Sequence, residues 1–184
     1  MKTRRPILFA AAATVVGAAA MLYSRARQTS LPVVPHVDLK RYVGLWYEIA
    51  RLPTRFEKDC VAVTAEYNLQ PDGTLSVRNS CHRNKLHSPA ETATGTARVA
   101  DRRTNAKLKV SFFWPFAGDY WILDLEGDYQ YALVGEPKRE NLWILSRHSH
   151  LERSIRDKLV AKARRLGFPV EKLIFTPQPD SEKS

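Results

Sequence analysis

The sequence predicts an all-β domain that ends in one helix, and three observations carry that prediction. Eight short runs rich in β-branched and aromatic residues follow one another from Gly44 to Arg147, with turn-forming residues between them. Several of these runs alternate apolar and polar residues with the period of two that a half-buried strand requires. Beyond the last run lies a single segment whose apolar residues recur at helical spacing. Strands in such a series form a sandwich or a closed up-and-down barrel, and closure would remove the edges they otherwise expose.

The first run, "GLWYEIAR", sets Trp46 two residues after Gly44 in a strand that is apolar but interrupted by Glu48 and Arg51. In "VAVTAEYNL", Val61, Val63, Ala65, Tyr67 and Leu69 alternate with Ala62, Thr64, Glu66 and Asn68. Pro71-Asp72-Gly73 ends it as a turn, since proline fixes φ and glycine accepts positive φ. "LSVRNSC" returns with Leu75, Val77 and Asn79 on one face, and "TATGTARVA" follows with Gly95, Ala97 and Val99 as a small-residue inner face. "AKLKVSFFW" sets Leu108, Val110 and Phe112 against Lys107, Lys109 and Ser111, and "DYWILDL", "YQYALVG" and "NLWILSR" complete the series. Ser149-His150-Leu151-Glu152 has the S-x-x-E pattern of a capping box. Ile155, Leu159, Ala163 and Leu166 then mark one apolar helix face, which Gly167 and Pro169 terminate. That face predicts a helix docked on the outside of the sheet, with "KLIFTP" as a last strand-like run.

Ahead of these elements, residues 1–27 have a basic start and an apolar run, the layout of a signal peptide or membrane anchor. Arg25 and Arg27 just beyond the run oppose translocation, so cleavage and retention both stay open. Residues 28–37 read as a proline-stiffened linker, 38–178 as the folded domain and 179–184 as a polar tail. The net charge of +10 includes five arginines and lysines that precede the first acid, Asp38, leaving +5 for the rest. With no basic stripe interleaved with aromatics, this excludes nucleic-acid binding as a reading.

Three stretches resemble the signatures of the lipocalin family. Gly44-Leu45-Trp46 is similar to its G-x-W motif, "GDYWILDL" to its T-D-Y region with Asp119 and Tyr120 retained, and "LWILSR" to its third motif, ending in Arg147. The likeness is greatest to bacterial outer-membrane and apolipoprotein D-like members and covers roughly residues 37–178. It implies an eight-stranded antiparallel up-and-down barrel with one C-terminal helix packed on it. It also implies that Trp46 plugs the closed end beneath the guanidinium of Arg147, a cation–π pair worth about 0.5–2 kcal/mol. Gly44, Trp46, Asp119, Tyr120 and Arg147 are then structural, and fold alone sets no function.

The resemblance further implies a cup for lipid, either a fatty acid or a phospholipid, especially a lysophospholipid, with no cofactor. Alternation from Trp46 points Glu48, Ala50, Trp143 and Leu145 inward, and Val63, Tyr67, Val77, Val110, Phe112 and Tyr131 join them as candidate lining. Gly95 and Ala97 argue for space inside. Arg51, Arg55, Lys58, Arg83 and Lys85 form a positive rim suited to an anionic head group. Trp114 and Phe116, around a proline, are candidates for contact with a membrane surface or a second copy in a homodimer. Cys60 and Cys81 flank one hairpin, and an oxidising compartment would join them. Strict alternation puts Cys60 outward and Cys81 inward, so their pairing needs a bulge or an early Cys60. The sequence shows no G-x-S-x-G, phosphate loop or H-E-x-x-H. His148 and His150 read as loop histidines, with no metal site expected. The reading is a non-catalytic lipid carrier at the bacterial cell envelope. A lipocalin-fold enzyme acting on lipid and a tethered interaction module with a filled barrel are the alternatives.

Overall fold

A computed structural model describes residues 31–126 and 128–179. The segment read as a signal or anchor, and residues 180–184 of the tail, lie outside the described residues. Nine strands form one antiparallel sheet: β1 (Gly44–Arg51), β2 (Cys60–Leu69), β3 (Leu75–Arg83), β4 (Ala90–Val99), β5 (Lys107–Phe113), β6 (Phe116–Glu126), β7 (Tyr131–Gly135), β8 (Leu142–Ser146) and β9 (Ile174–Phe175). Each of the first eight pairs with its sequence neighbour, and β1 pairs with both β2 and β8. The eight strands therefore close into an up-and-down barrel, which leaves no free edge among them.

Two apolar clusters divide along the pleat. The inner one holds Trp46, Tyr67, Val77, Ala97, Leu108, Ala132, Val134 and Leu145, with Val110, Phe112, Tyr120 and Trp143 packed against it. The outer one holds Leu123, Leu133, Leu142 and Ile144 of the strands together with Leu159 and Ala163 of the helix α2 (Arg153–Arg165). The predicted helix face thus docks outside the barrel. Lys162 Nζ adds an ion pair to Asp124 Oδ2 at 2.8 Å. Phe168 N–H donates to the Ala163 carbonyl and Gly167 N–H to that of Arg164, the two hydrogen bonds of a Schellman stop, with Gly167 at φ +87°. The buried Phe168 ring then reaches Gly135, where an added Cβ would lie 2.6 Å from its Cζ. The start of α2 differs from the S-x-x-E expectation. Glu152 is the N-cap, and its own side chain makes no cap hydrogen bond.

Residues 31–37 are packed rather than a spacer. Leu31 and Val37 are buried, and the backbone N–H groups of Val34 and Val37 donate to the carbonyls of Ile122 and Thr104. The short helix α1 (Leu39–Tyr42), capped by Asp38, then closes one end of the barrel.

Candidate functional site

The closed end is built on Gly44, Trp46 and Arg147. Gly44 turns the chain into β1 at φ +97°, a region that favours glycine. Trp46 is fully buried, and its Nε1 donates to the Tyr42 carbonyl at 2.8 Å. The Arg147 guanidinium lies 3.9 Å from the Trp46 ring centroid. It donates to the carbonyls of Leu45 (2.7 Å), Arg41 (2.8 Å), Val43 (3.0 Å), Tyr42 (3.1 Å) and Tyr129 (3.2 Å). One side chain therefore covers the indole and satisfies the carbonyls at the end of α1, as a fixed fork of donors can. The resemblance placed this pair correctly.

Above the plug stand three phenols that sequence reasoning did not assemble. The hydroxyls of Tyr42 and Tyr120 lie 2.7 Å apart, and Tyr67 donates to Tyr120 at 3.0 Å. Trp143 stacks on Tyr120, with ring centroids 6.5 Å apart. Burial pushes the Tyr67 phenol up to about 12 and those of Tyr42 and Tyr120 well above the ordinary range, so all three stay neutral. Asp119 lies away from this group and pairs with Lys109 at 2.8 Å.

Further up, β1 breaks its alternation. Its register against β8 shifts between Glu48 and Ala50, so Glu48 faces Leu145, Ala50 faces Ile144 and Arg51 faces Trp143. The extra residue inverts the faces beyond it. Ala50, expected inside, belongs to the cluster under α2, and Arg51, expected on the rim, enters the barrel and is buried. Tyr131 is a second correction. On β7 it is Ala132 and Val134 that face inward, while Tyr131 packs with the outer cluster. Of the other candidates, Tyr67, Val77, Val110, Phe112, Trp143 and Leu145 belong to the inner cluster. Val63 is buried on the same strand face as Ala65 and Tyr67. Gly95 leaves no ligand space, since an added Cβ there would lie 2.8 Å from Phe112 Cδ1, and the ring of Phe112 fills the gap.

Arg51 nucleates an interior polar cluster. Its Nη1 donates to Glu48 Oε1 at 2.8 Å and to Thr176 Oγ1 at 3.1 Å, and its Nη2 donates to the Glu57 carbonyl at 2.6 Å. Its Nε lies 3.6 Å from Glu57 Oε2, and Thr176 also bonds Glu48. Burial, and then the charge of Glu57, raise the Glu48 carboxyl to about 7. Thr176 arrives from the C-terminal segment, which spans the gap left where the β1–β2 register ends at Tyr47 and Thr64. There Thr176 N–H donates to Ile49 (3.0 Å), the Ala62 N–H to Pro177 (2.8 Å), and Gln178 Nε2 to the carbonyls of Glu48 (2.9 Å) and Val63 (3.0 Å). Both strands are thus tied through a strap that no local pattern announces.

Cys60 and Cys81 form a disulfide with Cα atoms 5.6 Å apart. The β2–β3 register shifts between Val61 and Thr64, and Ala62 has φ 49°. This bulge brings Cys60 to the partner that strict alternation denied it, and it leaves neither sulfur as a free thiol. Among the described residues, no three of His, Cys, Asp and Glu gather to hold a metal ion.

A family model described as a lipocalin-like domain matches residues 37–178. The chain is 44% identical over 149 residues to the outer membrane lipoprotein Blc of Escherichia coli (strain K12), covering 81% of this chain and 84% of that protein. It is 42% identical over 160 residues to temperature-induced lipocalin-1 of Arabidopsis thaliana, covering 82% and 84%. It is 32% identical over 182 residues to apolipoprotein D of Macaca fascicularis, covering 94% of each. Insecticyanin of the tobacco hornworm Manduca sexta shares the fold, with a TM-score of 0.64 over 81% of this chain and 86% of that one, at 24% identity. With its barrel, its Trp46–Arg147 plug and these relatives, the chain belongs to the lipocalin family.

Proposed function

We propose that this protein binds lipid in its barrel without catalysis, storing or carrying a fatty acid, phospholipid or lysophospholipid at the bacterial cell envelope in membrane maintenance. The inner wall carries this reading. Val110, Phe112, Tyr120 and Trp143 pack on the inner cluster of a closed barrel yet stay partly accessible. An apolar wall with a few polar groups is the usual character of such a site. The Cys60–Cys81 bond and the likeness to an outer membrane lipoprotein support an exported domain.

The mouth supports contact with a membrane surface. In an up-and-down barrel the β1–β2 and β5–β6 connections share one end, and these, with the strand ends that flank them, carry Phe56 (83% exposed), Phe113 (74%), Trp114 (92%) and Phe116 (77%). Aromatics so exposed mark an interaction surface. Sedimentation distinguishes bilayer contact from a homodimer through the same patch.

Displacement of a fluorescent fatty acid by a series of acyl chains tests the lipid reading. Each buried CH₂ is worth about 0.8 kcal/mol, so affinity rises about fourfold per carbon until the cup is full. A flat series, or failure to take up the probe, refutes it and favours a filled barrel.

A further inference from the structure

One interior carboxylate is neither sealed nor fully satisfied. Glu57 reaches into the cup from the β1–β2 connection, where its Oε2 accepts from Thr54 Oγ1 at 2.9 Å and from Trp143 Nε1 at 3.3 Å. Among the described residues no donor reaches its Oε1, and the side chain is 17% exposed. Its partner Arg51 is only 3% exposed, with its Nε 3.6 Å from Glu57 Oε2, while its two terminal nitrogens donate to Glu48, Thr176 and the Glu57 carbonyl. The cluster therefore shows the cup a carboxylate and hides its cation. Beside that carboxylate lies the indole of Trp143, on which Tyr120 stacks at 6.5 Å, with Tyr67 6.0 Å beyond Tyr120. Both Tyr67 and Tyr120 are neutral phenols and add no competing charge.

An anion beside aromatic faces is the chemistry that receives a cationic nitrogen. A ligand carboxylate placed there would meet a like charge in a poorly solvated site. Resting on the lipid-cup reading, we propose that Glu57, with the indole of Trp143 beside it, receives the positively charged nitrogen of an amphiphile's head group. The cup then selects ammonium-bearing amphiphiles over carboxylate-bearing ones of equal chain length. Arg55, Lys58 and Lys85 stand exposed on the same rim, placed for the phosphate of a zwitterionic head whose nitrogen lies on Glu57.

The test uses the full-length protein and three ligands with one chain: dodecyltrimethylammonium, dodecanol and dodecanoate, each below its micelle concentration. A neutral fluorescent probe reports their displacement. The wild type binds the ammonium about tenfold more tightly than the carboxylate, the span of a desolvated cation–π and ion contact. Glu57→Gln collapses that ratio to within about twofold, the residue expected of exposed rim charges, and Trp143→Leu lowers it. Because the readout is a ratio within each variant, a change in overall affinity does not disturb it. Equal or tighter dodecanoate binding by the wild type overturns the proposal, even if Glu57→Gln does not fold. An unchanged ratio in folded Glu57→Gln overturns it as well. If dodecanol also fails to displace the probe, the cup itself is refuted and the head-group assignment falls with it.

Discussion

Replacing Glu48 by glutamine should flatten the pH dependence of stability. In the folded protein, burial and the neighbouring Glu57 hold this carboxyl at about 7, against an ordinary value of 4.5. Between those values the folded state keeps a proton that the unfolded chain has lost. Stability therefore falls as pH rises through this window and levels off above it. A shift of that size corresponds to about 3 kcal/mol at 1.36 kcal/mol per unit. Glutamine keeps the acceptor for Arg51 and Thr176 but carries no charge to desolvate. The carboxylates of Asp72 and Asp101 are held below their ordinary range by hydrogen bonds from Thr74 and Arg103, so they titrate below this window, and they cancel between wild type and variant. Urea unfolding at constant ionic strength, near pH 4.5 and near pH 8, measures the difference. Relative to Glu48→Gln, the wild type should lose about 3 kcal/mol across that span. Parallel profiles, or a wild type that gains stability with pH, would refute the buried-acid account.

Three further outcomes follow from the packing. Arg147→Ala should cost about 3 kcal/mol in urea unfolding, because it strips the Trp46 face and several carbonyls at once, and Arg147→Lys should recover less than half, since an ammonium cannot fork. Gly135→Ala should destabilise by about 1–3 kcal/mol through overpacking against Phe168, and Phe168→Leu in the same chain should relieve much of that loss in a double-mutant cycle. Cys60→Ser with Cys81→Ser should lower stability by about 3 kcal/mol, the value for a closed loop of this size, read from the shift in denaturant midpoint.

The strands and the helix were legible because alternation and helical spacing are local properties. The Trp46–Arg147 plug was legible only through resemblance, since one hundred residues separate its members in sequence and nothing local joins them. Alternation tells two faces apart but not which one is inside, and Tyr131 was misplaced for that reason: α2 covers its face of β7. Ala50 and Arg51 exchanged roles because one bulge in β1 inverts every face beyond it, and the stretch "EIAR" gives no sign of the extra residue. A second bulge, at Ala62, made the cysteine pair possible where strict alternation spoke against it. The phenol cluster and the Glu48–Arg51–Glu57 group were hidden because their members come from α1, β1, β2, β6, a loop and the C-terminal strap, which only closure of the barrel assembles.

Native mass spectrometry of the purified protein, followed by lipid extraction, tests the central claim most directly. The account predicts bound mass in the range of a single fatty acid or phospholipid, lost on extraction and restored by added lipid. A protein that is empty as isolated and remains empty after lipid is added would contradict it.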